Sequence, residues 1–424
     1  MTPTNKLTCL LLIALFACLT SVDARADDWP RFLGPGGLSV SSETGLPSTW
    51  SAEENVLWKL DLPPWGNSSP VVIGDRIYLT TQTEDTSLLV LAVDRTAGKL
   101  LWQTKIGRGK LDAHRLHNMA TPSVVADTER VWALFGTGHL ACLNTAGEVL
   151  WQKNMQDEYG GYKIKWGMGS SLVLYKGLIY ITCMHTGPSY VVALDGKTGD
   201  EVWRKDRSFQ ARVEGNDAYT TPILVGDEDD MQLVICGAES INAYNPLTGE
   251  EIWRCKGLEI DHNAGRSIAS PTYCDGTFIA VASGFQGLGF VRAIRAGGQG
   301  DITETHPIWT HKSRSPDCPT PVCYDGYVYM NNDQGIATCL DLKTGEEQWQ
   351  TRLLSGDSKV SPIAADGKIY FFSNKTQCKV VKAGPEGKVL AENHLEGTMM
   401  ASPAISDGVL YIRTRDRLYA IGEK

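Results

Sequence analysis

None of the chain's 11 cysteines is adjacent to another, and no two stand in a C-x-x-C spacing. A zinc knuckle, a thioredoxin-type redox pair and a C-x-x-C-H haem attachment therefore have nothing to build on. The G-x-x-x-x-G-K-[ST] phosphate loop, the G-x-S-x-G nucleophile elbow and the H-E-x-x-H zinc helix are missing as well. A G-x-G within Gly284 to Gly289 falls inside an expected hairpin, with no helix after it to receive a phosphate. Positive charge is short: 40 Lys and Arg face 49 Asp and Glu, with no basic block, which argues against a nucleic-acid partner. Asp227-Glu228-Asp229-Asp230 concentrates acid but lacks EF-hand ligand spacing, and reads as a solvated turn.

Long apolar runs are scarce too. The one present follows Lys6, from Leu7 to about Leu19, and is shorter than the ~20 residues that span a bilayer. With Ala24-Arg25-Ala26 ahead of Asp27, residues 1–26 read as a secretory signal. Its removal takes away Lys6, Arg25 and Asp23, moving the formal net charge from −9 to −10. Leu15-Phe16-Ala17-Cys18 resembles a lipoprotein signal box in which Phe16 is awkward. The expected location is periplasmic or extracellular, with lipid anchoring through Cys18 as a variant and no transmembrane segment. Of the nine cysteines outside the signal, Cys142, Cys183, Cys236 and Cys339 sit in apolar strand patterns and are expected as buried thiols. Cys318 and Cys323 are near enough to invite a bridge, which separation alone does not decide.

Glycine and tryptophan are abundant, at 43 and 12, and both recur at fixed places in a repeated unit. Each unit opens on Ser or Thr, usually followed by proline. The openings are Ser69-Pro70, Thr121-Pro122, Ser171-Leu172, Thr221-Pro222, Ser270-Pro271, Thr320-Pro321, Ser361-Pro362 and Ser402-Pro403, 41 to 52 residues apart. Proline at a strand's first position removes no ladder hydrogen bond. A short apolar run follows, then a tight turn such as Asp325-Gly326 or Asp366-Gly367, suited to the positive φ of a two-residue reversal. A second strand, a third, and a turn of the Asp341-Leu342-Lys343-Thr344-Gly345 type lead to a fourth strand that closes on tryptophan.

Four antiparallel strands at this period describe a propeller blade, so the fold class is all-β and the architecture an eight-bladed β-propeller. The last unit stops one strand short at Lys424, whereas Asn55 to Leu60 is a tryptophan-bearing strand with no partners before it. Pairing the two closes the ring and removes its open edges. The domain reading is a signal at 1–26, an N-terminal extension at 27–54 and the propeller at 55–424. The fifth unit carries an insertion from Gly297 to Pro307, and the seventh has Leu390 near the usual tryptophan position.

The repeat, seen best in Leu194 to Trp203 and Leu340 to Trp349, resembles the tryptophan-docking repeat of pyrroloquinoline-quinone-type propellers. Trp29-Pro30-Arg31-Phe32-Leu33-Gly34-Pro35 is similar to the W-P-x-F-[RL]-G-P opening of exported bacterial members. The resemblance implies that Trp58, Trp102, Trp151, Trp203, Trp253, Trp309 and Trp349 pack between neighbouring blades. It leaves two activities open. Quinoprotein dehydrogenases hold the quinone and a calcium ion on the ring axis. Their adjacent Cys-Cys pair is absent here, and no calcium-ligand or catalytic-base motif matches residue by residue. Non-enzymatic propellers, the outer-membrane assembly factor B type among them, bind partner proteins. The expectation is a monomeric, non-catalytic scaffold or binding protein without cofactor, serving a cell-envelope protein or a small ligand. A dehydrogenase using the quinone with calcium is the alternative.

Regular strands leave the chemistry to the connections. The links from each fourth strand to the next first strand are long, including residues 103–120, 152–169, 204–219, 254–269 and 310–319, and are expected to gather at one mouth of the ring. They supply the candidate contacts: His117 and Asn118, Tyr162 and Trp166, Asp217 and Tyr219, His262 and Arg266, and Asp317, with Lys359 ahead of the seventh unit. Tyr162 and Trp166 suit an aromatic rim for a partner. Arg266 or Lys359 suits an anionic ligand. His114 and His117 lack a third ligand at a telling spacing, so no metal site is expected. No residue is assigned a catalytic role.

Overall fold

The computed structural model describes residues 28–423, apart from Pro64, Leu111, Gln210, Arg212, Ala264 and residues 285–287. The expected signal with Cys18, and part of Gly284 to Gly289, lie outside the described residues. Eight antiparallel sheets are formed, one per unit, with extra short strands on the fourth and fifth. The first blade is typical: Val71–Ile73, Arg76–Gln82, Ser87–Asp94 and Lys99–Arg108 in sequential order. Third strands such as Ser87–Asp94 are buried nearly throughout because blades cover both faces, so they carry continuous apolar runs. The fourth strand at the rim alternates instead. Val56–Asp61 pairs antiparallel with Arg417–Ile421, placing Trp58 opposite Ala420, and so completes the last blade with the first strand of the chain. Among the described residues no helix is long and apolar enough to cross a membrane. All nine described cysteines are free thiols, Cys318 and Cys323 included.

The hydroxyl that opens each unit joins the blades. Ser69 N–H donates to Ser123 Oγ at 2.8 Å and Ser123 N–H to Ser171 Oγ at 2.9 Å. The relay continues through Thr221, Ser270, Thr320 and Ser361 to Ser402. The second unit therefore opens on Ser123-Val124, two residues later than the expected Thr121-Pro122. Its register agrees, since Val125 faces Trp132 as Val71 faces Tyr78. The Thr-Pro pair imitates the pattern, but Thr121 turns its hydroxyl to Asn118 O and the His117 ring.

Six fourth-strand tryptophans reach the turn between third and fourth strands of the following blade. Nε1 of Trp58, Trp102, Trp151, Trp203, Trp309 and Trp349 donates to the carbonyls of Arg95, Thr145, Gly196, Pro246, Leu342 and Gly384. The turn glycine has two reasons to be there. Gly345 has φ 74°, and a Cβ on it would lie 2.6 Å from the Trp309 ring. Trp253 differs: its Nε1 donates to Gln232 Oε1 at 2.9 Å, and its ring packs on Phe278 at 5.2 Å. There the insertion contributes Gly300–Asp301 as a parallel strand on Glu251–Lys256, with Ile302 buried behind it. In the seventh blade the tryptophan register, opposite Val380, belongs to Ala391 rather than Leu390, whose side chain is exposed.

The extension is a strap across the face opposite the long links. Trp29 exchanges both backbone hydrogen bonds with Val72. Arg31 donates to Pro222 O, Ser39 Oγ to Pro362 O at 2.9 Å, and Val40 bridges to Ala364. Glu43 then accepts from the N–H groups of Asp407 and Gly408. The strap thus ties the first, fourth, seventh and eighth blades together. Burial drags the Arg31 guanidinium down to about 9.

Candidate functional site

In an antiparallel blade the turns between second and third strands emerge at the same end as the links to the next blade. These segments surround an axial cavity of about 640 Å³. Phe32 of the strap reaches its lining, and hydroxyls of the blade openings, Ser171, Thr221 and Ser270 among them, form part of its wall. The charged part of the wall is an ordered network. Gly265–Arg266 pairs with Gly284 and Ser283, which fixes the Arg266 backbone. Its guanidinium donates to Asp317 Oδ2 at 2.7 Å and to Glu214 Oε2 at 3.2 Å. Lys359 is paired with Asp333, whose Oδ1 also accepts from the N–H groups of Asp317 (3.2 Å) and Cys318 (3.0 Å). Burial raises the Asp317 carboxyl above its usual range, while Arg266 pulls the other way.

Across the cavity, His117 hydrogen-bonds Thr121 Oγ1 at 2.6 Å, and burial lowers its pKa to about 4, so the ring is neutral. His114 stands edge-on to Trp166 at 5.2 Å. Donor atoms of Asp317, Cys318 and Asp333 lie within 4.8 Å of one another. Both carboxylates already carry a cation, so a metal ion would have to displace Arg266 and Lys359.

Six of the ten candidate contacts line this cavity: His117, Trp166, Tyr219, Arg266, Asp317 and Lys359. Four do not. Asn118 is buried and shapes its link, donating to Trp65 O and accepting from Ala120 N–H. Tyr162 is turned inward against His185, ring centroids 5.6 Å apart, because Gln156 Oε1 holds its N–H and folds the link back over Met155–Tyr159. It is packing, not an aromatic rim. Asp217 is buried beneath the wall, and burial raises its carboxyl to about 6. His262 lies exposed on its link. The sequence reading missed Phe32, Arg115 and Asp333, which also line the cavity. Asp333 was within reach, since it sits in a turn between second and third strands; Phe32 carried no such signal.

The cations that would meet an anionic quinone are already engaged. Arg266 and Lys359 are committed to Glu214, Asp317 and Asp333, and Asp357 adds another carboxylate to the wall. A second cavity, about 970 Å³, lies on the outer side between the fourth and fifth blades, lined by Phe209, Arg254, Arg292 and Trp309. Arg254 there is held by Glu251 at 2.7 Å and stacked on Phe209.

Among known proteins, the family model described as "Outer membrane protein assembly factor BamB" matches residues 35–165 and 136–377. Outer membrane protein assembly factor BamB of Burkholderia pseudomallei (strain K96243) is 27% identical over 97 residues, 23% of this chain and 25% of that protein. The match thus spans a quarter of the curated relative's length. BamB from Moraxella catarrhalis superposes with a TM-score of 0.64 at 13% identity, covering 86% of this chain and 99% of that one. Quinohemoprotein alcohol dehydrogenase from Comamonas testosteroni gives 0.69 at 14% identity, covering 95% and 81%. A europium-containing methanol dehydrogenase gives 0.71 at 11%, covering 93% and 98%. At these identities the structural likenesses establish the fold alone.

Proposed function

Since the chain belongs to the family of outer membrane protein assembly factor BamB, we propose that it is a non-catalytic propeller scaffold of the cell envelope that binds a partner protein at the mouth of its ring. One observation carries this reading. Two acids of the mouth cavity, buried Asp317 and half-buried Asp333, are committed in ion pairs to Arg266 and Lys359, and neutral His117 is held by Thr121. Such walls recognise a shape and a charge pattern; they present no poised base. The proposal takes the protein as exported and monomeric, with 27–54 as the strap and 55–424 as the ring.

The test is capture of a specific protein from envelope extract by the tagged full chain. Ile268→Trp, which fills the cavity, should abolish capture, and Leu101→Ala on the outer strand should not. In parallel, the protein supplied with the quinone and calcium should show no dye-linked alcohol oxidation. Saturable turnover would replace this reading with that of a dehydrogenase.

A further inference from the structure

The rim of the cavity changes sign from one side to the other. Beside the paired network of Arg266 and Lys359, the opposite lip carries more cations than acids, and those cations are not ion-paired. We propose that this lip, formed by Lys110, Arg115, Lys165 and Arg415, docks an acidic, extended segment of a partner polypeptide. The proposal rests on the mouth being the working surface.

The chain as a whole has a formal net charge of −9, so a local excess of cations is not a by-product of composition. Residues 109–118 and 160–168 contribute Lys110, Arg115, Lys163 and Lys165 against one carboxylate, Asp112. Lys110, Arg115 and Lys165 are exposed. Among the described residues, none of the four lip cations has a carboxylate within ion-pair distance, whereas Arg266, Lys359 and Arg417 at the same end are all paired.

Exposed lysines are usually no more than a solvated face. Two features separate this lip from that case. First, two of its cations are seated on tryptophans: Lys165 Nζ is 4.6 Å from the Trp166 ring centre, and the Arg415 guanidinium 4.4 Å from that of Trp65. An indole under a cation restricts its position while leaving its outer donors available. Second, the lip is cross-braced. Arg415 Nη2 donates to Arg115 O at 3.3 Å, joining the last blade to the first link, and the enclosed Nε of Arg415 has no partner.

The shape selects a peptide over a membrane. The lip borders a concave cavity, whereas an anionic bilayer would meet the acidic remainder of the chain as well. An extended strand alternates its side chains, so carboxylates laid on the lip would turn the intervening side chains toward Trp166 and the cavity. On the opposite side Glu214, Asp317, Asp333 and Asp357 outnumber Arg266 and Lys359, and this excess of acid sets the direction.

The experiment is titration of the full chain with a fluorescent octapeptide of Asp and Glu around a central Phe, and with its Asn/Gln counterpart. The acidic peptide should bind, the neutral one should not, and added salt should weaken the complex. Arg115→Glu with Lys165→Glu should cost about tenfold in affinity, as expected for reversing two solvent-exposed pairings. Unchanged melting would show that the variant folds. Equal binding by the variant, no binding by the unaltered chain, or binding of phosphatidylglycerol vesicles that the peptide does not displace would each overturn the proposal. If envelope capture survives the lip reversal but is lost with Ile268→Trp, the lip falls and the mouth reading stands. If capture survives both, both fall.

Discussion

Trp50 stacks on Tyr370 with ring centroids 6.3 Å apart and planes inclined by 23°. Elsewhere the equivalent tyrosine meets the tryptophan of its own blade, as in Tyr78 with Trp102 and Tyr180 with Trp203. The seventh blade has Ala391 at that register, and the strap supplies the indole instead. The imitation extends to hydrogen bonds: Tyr370 OH donates to Pro47 O at 3.1 Å, as Tyr180 OH does to Pro246 O at 3.1 Å. Asn393 fixes the arrangement by accepting from Trp50 N–H and donating to Ser48 O. The strap is therefore part of the seventh blade.

Trp50→Ala should then cost as much as truncating a tryptophan within a blade, about 3–5 kcal/mol. Chemical denaturation of Trp50→Ala beside Trp102→Ala checks this. A loss confined to a few tenths of a kcal/mol would mean that the strap merely lies on the surface.

Two turn glycines separate backbone strain from indole docking. Gly326 has φ 79° with open space around its missing Cβ, whereas Gly345 has φ 74° and the Trp309 ring in the way. Gly326→Ala should cost about 1 kcal/mol of left-handed strain. Gly345→Ala should cost clearly more, read as a larger drop in the denaturation midpoint. Equal losses would show that the ring moves aside freely.

Truncation divides the roles of the N-terminal segment. Without residues 27–50 the Val56–Asp61 strand still closes the ring, so the shortened chain should keep the full chain's oligomeric state while being less stable and open at its floor. Without residues 27–62 the closing strand goes too, leaving Arg417–Ile421 as an open edge that favours self-association. Sedimentation of the two truncations distinguishes them. An unchanged monomer with unchanged melting in the longer truncation would refute closure.

Asp217 makes stability depend on pH. Burial raises its carboxyl from the usual 3.8 to about 6, with Glu214 adding to the shift. Between those values the folded chain holds a proton that the unfolded chain releases, so this contribution is complete below 3.8 and fades as pH rises through 6. Asp217→Asn should remove it, and urea midpoints compared between about pH 4 and pH 7 should then fall less than in the unaltered chain.

The candidate site was half legible. Arg266, Asp317 and Lys359 line the cavity because each precedes an opening Ser or Thr, where the topology carries side chains to the mouth. Tyr162 was misplaced because nothing local says that Gln156 will hold its N–H and fold the link back. The Arg415–Trp65 stack joins residues from opposite ends of the chain, and only ring closure brings them together.

By itself the sequence determined the strands, their turns and the number of blades. Those depend on short-range physics: alternation of side chains, positive φ at glycine, and proline where no hydrogen bond is lost. Even the missing fourth strand could be matched to Val56–Asp61 by counting. The tertiary structure alone decided what the first described residues do. Several of the strap's partners, such as Pro362 and Asp407, lie more than 300 residues along the chain, and the space left by Ala391 exists only once the ring has closed. It also decided which mouth residues are paired and which cations stand unopposed, because ion pairing depends on distances across the axis that no local pattern encodes.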